Sequence, residues 1–180
     1  MTLLKILNYP NPRLKTKAQT VEDVHNEKVQ QMIADMLETL QNTPHCGGLA
    51  ASQLDIAHPL RIFVFYDSED SSSNPTCIVN PEVIKTEGEV FEEEGCMSVY
   101  SDQILAKVKR PQRTTIKGLD TRGETIEMAR EGYLAKLFVH ECDHLDGKLY
   151  IDYLKPLKRK LIEKKIAKVV NNHKIDEVNE

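Results

Sequence analysis

The sequence predicts an α+β domain in which short, mostly antiparallel strands surround a central helix, with a further helix towards each end of the chain. Three observations support this class: helical apolar spacing near both ends, β-branched and aromatic segments between them, and an order that does not alternate strand with helix. The 180 residues are enough for one sizeable core. We therefore expect residues 1–180 to form a single domain.

The composition is that of an ordinary globular protein, with 40% apolar and 29% charged residues. A formal net charge of -4 gives no overall attraction to DNA or to a membrane. No apolar run approaches the ~18 residues of a membrane span, and prolines interrupt the N-terminal apolar stretch, which is too short for a signal peptide. We expect a cytoplasmic protein. Its four cysteines form no C-x-x-C pair, so a zinc ribbon or a redox pair is not expected.

The first helix is predicted over residues 26–40, where apolar side chains recur at helical spacing. Strand character follows at residues 61–66, 77–79, 88–91 and 114–119. Residues 120–123 are typical of a turn, and residues 124–128 are expected to return as its partner strand. A polar segment at residues 67–75 is expected to be a surface loop.

The second helix is predicted over residues 130–145, with Gly147 at its C-cap. Pro156 suits the first turn of a third helix that extends to about residue 173. We expect the buried stripe of this helix to consist of Leu157, Leu161, Ile162, Ile166, Val169 and Val170.

The second helix carries an H-E-x-x-H motif, from His140 to His144. Residues four apart lie on the same helical face, so both imidazoles can reach one cation. Glu141 lies next to the first histidine, where a carboxylate can accept and return the proton of an activated water. A five-residue motif also occurs by chance on solvated helix faces. The apolar residues before it favour the metal site, because half-buried unpaired imidazoles are costly.

A catalytic metal site usually has three protein ligands and an open position. The downstream candidates, which are His173 and several acidic residues, lack the context of a metal site. Upstream, Cys96 follows Gly95 near the end of a predicted strand, where glycine permits close backbone approach. A lone cysteine is more often a small buried side chain. Beside the helical motif, Cys96 is better interpreted as the third ligand.

Three segments together resemble the peptide deformylase family. Residues 48–53, G-L-A-A-S-Q, resemble the family's G-x-G-L-A-A-x-Q, residues 94–98, E-G-C-M-S, resemble E-G-C-L-S, and residues 140–147 resemble H-E-x-D-H-L-x-G. The resemblance implies that Cys96, His140 and His144 bind the metal and that Glu141 is the general acid/base. It also implies that the Gln53 amide and the Met97 N–H stabilise the oxyanion. Gly48 and Gly95 would contact the substrate.

The resemblance further implies the cofactor and the partners. One ion per chain is expected, Fe²⁺ in the cell, with Zn²⁺, Ni²⁺ or Co²⁺ able to replace it in purified protein. The expected substrate is the N-formylmethionine of newly synthesised proteins, which loses its formyl group as formate. The basic third helix is expected to contact the ribosome, although such a stripe often serves solubility alone.

Four positions depart from the family pattern: Cys46 replaces a glycine, Val139 a glutamine, Tyr100 a proline, and Gln103 lies near an expected arginine. Two alternatives remain open, and these departures support the first of them. One is a catalytically weak or non-enzymatic paralogue, and the other is a different metalloamidase or peptidase.

Overall fold

The computed structural model describes residues 2–68 and 73–178, with side chains up to Asn171. Its helices are α1 (Glu27–Gln41), α2 (Gly132–Leu145) and α3 (Pro156–Val178). Its strands are β1 (Gly48–Ala50), β2 (Ile62–Tyr66), β3 (Pro75–Glu87), β4 (Val90–Glu94), β5 (Ala106–Arg110), β6 (Arg113–Leu119) and β7 (Thr125–Glu131). Short 3₁₀ turns cover Pro12–Lys15, Ala51–Gln53, Met97–Val99 and Tyr150–Tyr153. The predicted α+β class is confirmed.

Five strands form one antiparallel sheet in the order β1-β2-β3-β6-β7, and β4 pairs with β5 in a second sheet. Phe63 on β2 lies opposite Ala50 on β1 and Ile78 on β3, which fixes the register of the central strands. β1 is an edge strand, paired with β2 on one side. An edge strand keeps backbone groups available to pair with another chain.

α1 begins where the sequence indicated, because the Asn26 side chain accepts a hydrogen bond from the Lys28 N–H and caps the helix. Its buried face includes Ile33, Met36 and Leu40. These residues join a core cluster with Leu49 of β1. α1 therefore packs against the edge strand β1.

α2 packs across the main sheet and is the central helix of the fold. Phe138 is fully buried and meets the rings of Phe63 and Phe65. Leu134 and Leu145 complete the same cluster. The helix begins at Gly132 rather than at residue 130, because β7 continues to Glu131 and Gly132, with φ of +59°, turns the chain directly into the helix.

α3 packs on a separate cluster next to the small sheet. Ile162, Ile166 and Val169 are buried, as predicted. Leu157 and Leu161 are exposed, so their assignment to the buried stripe was wrong. In the first turns of α3, the side of the helix that carries these two leucines therefore faces solvent. The backbone of α3 extends five residues beyond the predicted end, to Val178.

Other differences concern strands. Residues 88–91 were expected to be a strand, but Gly88 has φ of +67° and β4 starts only at Val90. β1 and β5 were not predicted. Residues 69–72 of the polar loop predicted at residues 67–75 lie outside the described residues, and β3 already begins at Pro75. Within the described chain, no helix is long and apolar enough to cross a membrane.

Candidate active site

The three side chains predicted as metal ligands converge at one point. The Cys96 Sγ lies 3.2 Å from the His144 Nε2, and that nitrogen lies 3.1 Å from the His140 Nε2. All three ligand atoms lie within 4.8 Å of one another. Ligands held about 2.0–2.3 Å from a tetrahedral ion stand roughly 3.3–3.7 Å apart. The two separations lie just below this range, so all three ligand atoms are close enough together to hold a single ion.

The local structure explains this convergence. α2 places the two histidines one turn apart on one face. Cys96 directly follows the β4–Gly95 segment and begins the 3₁₀ turn Met97–Val99. The His140 Nδ1 lies 2.6 Å from the Glu94 Oε1, so the other ring nitrogen of His140 faces the cysteine and His144. Imidazoles that bind metals are commonly oriented by a carboxylate in this way.

Burial and neighbouring groups shift the pKa values of the two histidines in opposite directions. Burial lowers the tendency of His140 to be charged, but hydrogen bonds to Cys96 and Glu94 raise its pKa well above the ordinary value. Burial and the neighbouring His140 charge lower the pKa of His144 well below its ordinary value. The two shifts run in opposite directions, so His140 holds a proton more readily than His144. A thiolate with two neutral imidazoles is a donor set suited to a divalent transition metal.

Glu141 lies beside these groups and is 1% exposed. Its Oε2 has no hydrogen-bond partner among the residues that the structure describes. Burial raises the pKa of Glu141 to about 7, against the opposing charge of His140. A buried carboxyl with one open oxygen and a pKa near neutrality is suited to accept and return a proton.

The remaining predicted residues surround the same point. The Ala50 N–H donates to the Gln53 Oε1 at 2.8 Å, which orients the amide so that its Nε2 lies 3.6 Å from the Cys96 Sγ. Met97 is the next residue after Cys96. A Cβ on Gly48 would lie 3.0 Å from the Glu141 Oε1, so glycine lets the edge strand approach the carboxylate closely.

An open cleft of about 190 Å³ leads to the site. The predicted residues that line it are Gly48, Gln53, Gly95, Cys96, Met97, His140 and Glu141. His144 lies behind them and is buried. At the start of α2, the Tyr133 hydroxyl lies so close to Gly47 that a Cβ on Gly47 would collide with this hydroxyl. Gly47 and Tyr133 therefore lie close to each other where both line the cleft.

The other described histidines lie outside the candidate ligand group, although His45 lines the cleft. His25, His45 and His58 belong to no potential metal group in the described chain. The side chain of His173 lies outside the described residues. The prediction that the third ligand comes from upstream thus agrees with the geometry.

Two acidic residues have partners that the sequence did not reveal. Glu94 is not a solvated strand end: despite burial, hydrogen bonds from Arg110 and His140 lower its pKa to about 2. Asp143 is buried rather than exposed, and it bonds to Arg110 and Tyr153, not to a histidine. Arg110 was missed altogether. The sequence feature that could have indicated it is the alternating segment A-K-V-K-R, in which Arg110 occupies a position of the buried set.

Of the departures from the family pattern, Cys46 lines the cleft. Cys46 has an ordinary negative φ, and its thiol is buried at the cleft and donates to the Gly48 carbonyl at 3.1 Å. Burial raises the pKa of this thiol. Tyr100 has φ of +54° and ends the turn that begins at Cys96. Gln103 is exposed and bonds to Asp102.

Comparison with known proteins identifies the family and the fold. A sequence model of the polypeptide deformylase family matches residues 3–160. Peptide deformylase 2 of Xanthomonas axonopodis pv. citri is 43% identical over 170 residues, covering 93% of this chain and 96% of the relative. The peptide deformylase of Acinetobacter baumannii is 42% identical over 179 residues, covering 99% and 98%.

A solved structure agrees with these relatives. The crystal structure of a peptide deformylase from Legionella pneumophila superposes with a TM-score of 0.85 at 37% identity, covering 96% of this chain and 98% of that one. Sequence, fold and the convergence of one cysteine with two histidines give the same answer. The chain belongs to the polypeptide deformylase family, whose members are metal-dependent hydrolases.

Proposed function

We propose that this protein removes the formyl group from the N-terminal formylmethionine of newly synthesised proteins and releases formate. The observation that carries this proposal is the convergence of three ligand atoms beside the open oxygen of Glu141, in a cleft bordered by an edge strand. Residues 1–180 act as one catalytic domain. Because the substrate emerges from the ribosome, the protein works in the cytoplasm.

The three ligands hold one divalent ion. Cys96 supplies a thiolate, and His140 and His144 supply neutral imidazoles. The ion is Fe²⁺ in the cell, and Zn²⁺, Ni²⁺ or Co²⁺ replaces it in purified protein, because thiolate and imidazole bind all four. When bound, such an ion polarises a carbonyl and lowers the pKa of water to about 7.

Glu141 moves the proton during hydrolysis. Its open Oε2 accepts a proton from the attacking water, and the protonated carboxyl then gives this proton to the nitrogen of the departing amine. A pKa of about 7 allows both steps near neutral pH. Burial keeps the carboxyl from exchanging this proton freely with bulk water.

Two donors stabilise the oxyanion that forms on the formyl oxygen. The Gln53 Nε2 is directed towards Cys96 by the bond between its Oε1 and the Ala50 N–H. The Met97 N–H follows Cys96 in the chain. A donor of this kind contributes about 2.7–4 kcal/mol in comparable sites, because it is fixed before the charge develops.

The substrate peptide binds in an extended conformation along β1. Gly48 leaves the edge of this strand accessible next to Glu141. Gly95 lines the opposite side of the cleft at the end of β4, and a Cβ there would lie 2.7 Å from the Leu105 Cδ2. An added strand gains backbone hydrogen bonds that do not depend on the substrate sequence.

The decisive experiment measures formate release from formyl-Met-Ala-Ser by metal-loaded wild type, Glu141→Ala and Glu141→Gln. General acid/base catalysis contributes about 10²–10⁴-fold, so both variants should lose at least 100-fold in kcat. Glu89→Gln is the matched control, because Glu89 is exposed and pairs with Lys109. Cleavage of an internal peptide bond instead would identify a peptidase, and metal-replete protein without turnover would identify a non-enzymatic paralogue.

The exposed face of α3 contacts ribosomal RNA. Its buried face is apolar, whereas the basic residues facing solvent include Lys158, Lys160, Lys164, Lys165 and Lys168. On a protein with net charge -4, this face is a local basic surface. Binding to RNA phosphates through it should weaken steeply with salt.

A triple charge reversal, Lys160→Glu, Lys164→Glu and Lys168→Glu, tests this contact without uncovering the apolar face. Ribosome co-sedimentation at low salt should fall at least tenfold, while release of formate from short peptides stays unchanged. Co-sedimentation equal to that of the wild type would reject the ribosome contact alone.

A further inference from the structure

Arg110, at the end of β5, is a buried cation outside the proposed catalytic set. Its side chain is 3% exposed. Its Nε and Nη2 donate to the two oxygens of Glu94, both at 2.7 Å, and its Nη1 donates to the Asp143 Oδ2 at 2.7 Å. A guanidinium out of water is costly unless its donors are satisfied, and here two carboxylates satisfy it on two sides.

Each of these carboxylates has a second partner. The Glu94 Oε1 lies 2.6 Å from the His140 Nδ1, and the Tyr153 hydroxyl donates to the Asp143 Oδ1 at 2.7 Å. The Arg110 guanidinium also lies 4.9 Å from the centre of the Tyr153 ring. Arg110 therefore connects the end of β4, the last turn of α2 and the 3₁₀ turn at Tyr150–Tyr153.

The connection reaches every proposed metal ligand. Glu94 holds His140 directly and lies two residues before Cys96, whereas Asp143 directly precedes His144. Cys96 and the two histidines lie on separate segments, and Arg110 bonds both segments at once. We propose that Arg110 is a positioning residue that fixes the spacing between the cysteine-bearing loop and the histidine-bearing helix, and thereby sets the metal affinity. This inference rests on the metal site of the proposed function.

Arg110→Lys is the informative variant. A lysine keeps the positive charge, but a single ammonium cannot make a bidentate pair with Glu94 while it also reaches Asp143. Loss of groups that orient metal ligands typically weakens metal binding 10–100-fold. Arg110→Met removes the charge as well and should weaken binding further.

The matched control is Arg61→Met. Arg61 also pairs with a carboxylate at the end of α2, Asp146, at 2.7 Å, but it bonds to neither Glu94 nor Asp143. Each protein is stripped of metal, and Ni²⁺ affinity is measured by competition with a chromophoric chelator. The Co²⁺ absorption spectrum of each protein then reports the geometry of the ligands, independently of activity.

We expect Ni²⁺ to bind Arg110→Lys 10–100-fold more weakly than the wild type, with altered Co²⁺ bands, and Arg61→Met to match the wild type. Wild-type Ni²⁺ affinity and an unchanged Co²⁺ spectrum in Arg110→Lys would overturn the proposal, whatever the stability of that variant. A wild type that binds no Ni²⁺ would instead refute the metal site itself.

Glu94→Gln keeps the test decisive if the arginine variants do not fold. An amide has one acceptor oxygen, so it cannot accept from His140 and also pair with both donors of Arg110. Its Ni²⁺ affinity should also fall at least tenfold. An affinity equal to that of the wild type would show that the link between Arg110 and His140 does not control metal binding.

Discussion

Replacement of Phe138 tests how much the packing of α2 against the main sheet contributes to the stability of the protein. Phe138 is fully buried, with its ring centroid 5.3 Å from that of Phe65 in an edge-on arrangement and 6.2 Å from that of Phe63. Truncation of a buried phenylalanine to alanine costs about 3–5 kcal/mol, including the cavity left behind. In a protein of this size each kcal/mol corresponds to about 2–4 °C. Phe138→Ala should therefore lower Tm by roughly 6–20 °C.

The assay is urea unfolding followed by circular dichroism, with Phe91→Ala as the matched control. Phe91 is 60% exposed on β4, so the same truncation there should change the free energy of unfolding by about 0.5 kcal/mol or less. A loss below about 1.5 kcal/mol at Phe138 would refute the packing argument, since no cavity-forming truncation of a full ring is expected to cost so little. An equal loss at both positions would also refute it.

Three further predictions concern the metal, the cleft and pH. Ni²⁺ at 100 times its Kd should stabilise the metal-free protein by about 2.7 kcal/mol, which corresponds to a rise in Tm of roughly 5–11 °C. An unchanged Tm would exclude a metal site that is present in the folded protein. Gly47→Ala should reduce kcat/KM for formyl-Met-Ala-Ser at least tenfold, because the added Cβ displaces Tyr133. Adding Tyr133→Ala should restore much of that loss. Additive effects of the two substitutions in a double-mutant cycle would contradict a contact between these residues. Burial opposes the charge of Asp152, but the hydrogen bond from Lys15 holds its pKa below the ordinary value. The stabilisation by the charged Asp152 is present above about pH 4 and disappears as pH falls. In urea titrations, Asp152→Asn should therefore be less stable than the wild type by about 1 kcal/mol at pH 7, and this difference should shrink towards pH 3. A difference in stability that does not depend on pH would contradict the prediction.

The sequence predicted those parts of the fold in which the apolar pattern is local. α1 and the core of α3 have apolar residues at helical spacing, and both form as expected. β5 was missed because it alternates basic and buried positions, and one of its buried side chains is itself an arginine. β1 has three residues, all buried, so it shows no alternation at all.

The exposure of Leu157 and Leu161 has a different cause. Helical spacing places them on the same side as Ile162, but a helix buries only the turns for which a partner surface exists. The cluster beneath α3 packs Ile162, Ile166 and Val169, and it does not reach the two leucines of the first turns. A periodic pattern alone does not show where that partner surface ends.

The same distinction explains which parts of the site were predictable. His140, Glu141 and His144 lie within five residues, so the shared face of the two histidines follows from helix geometry alone. Their burial requires polar partners, because a buried charged or polar group without one is costly. Those partners lie far along the chain: Glu94 is 46 residues from His140, and the Ser52 hydroxyl donates to the His144 carbonyl across 92 residues.

A motif of buried polar residues therefore predicts that compensating groups exist, but not which residues they are. Arg110 illustrates the consequence, since it is 33 residues from Asp143 and lies in a strand that the sequence did not reveal. The sequence likewise did not show that Glu94 and Asp143, the two acidic residues that it joins, are its partners. Chemistry that depends on spacing within a helix could be deduced from the sequence, whereas the charge balance that makes this chemistry tolerable in the interior depends on the tertiary fold.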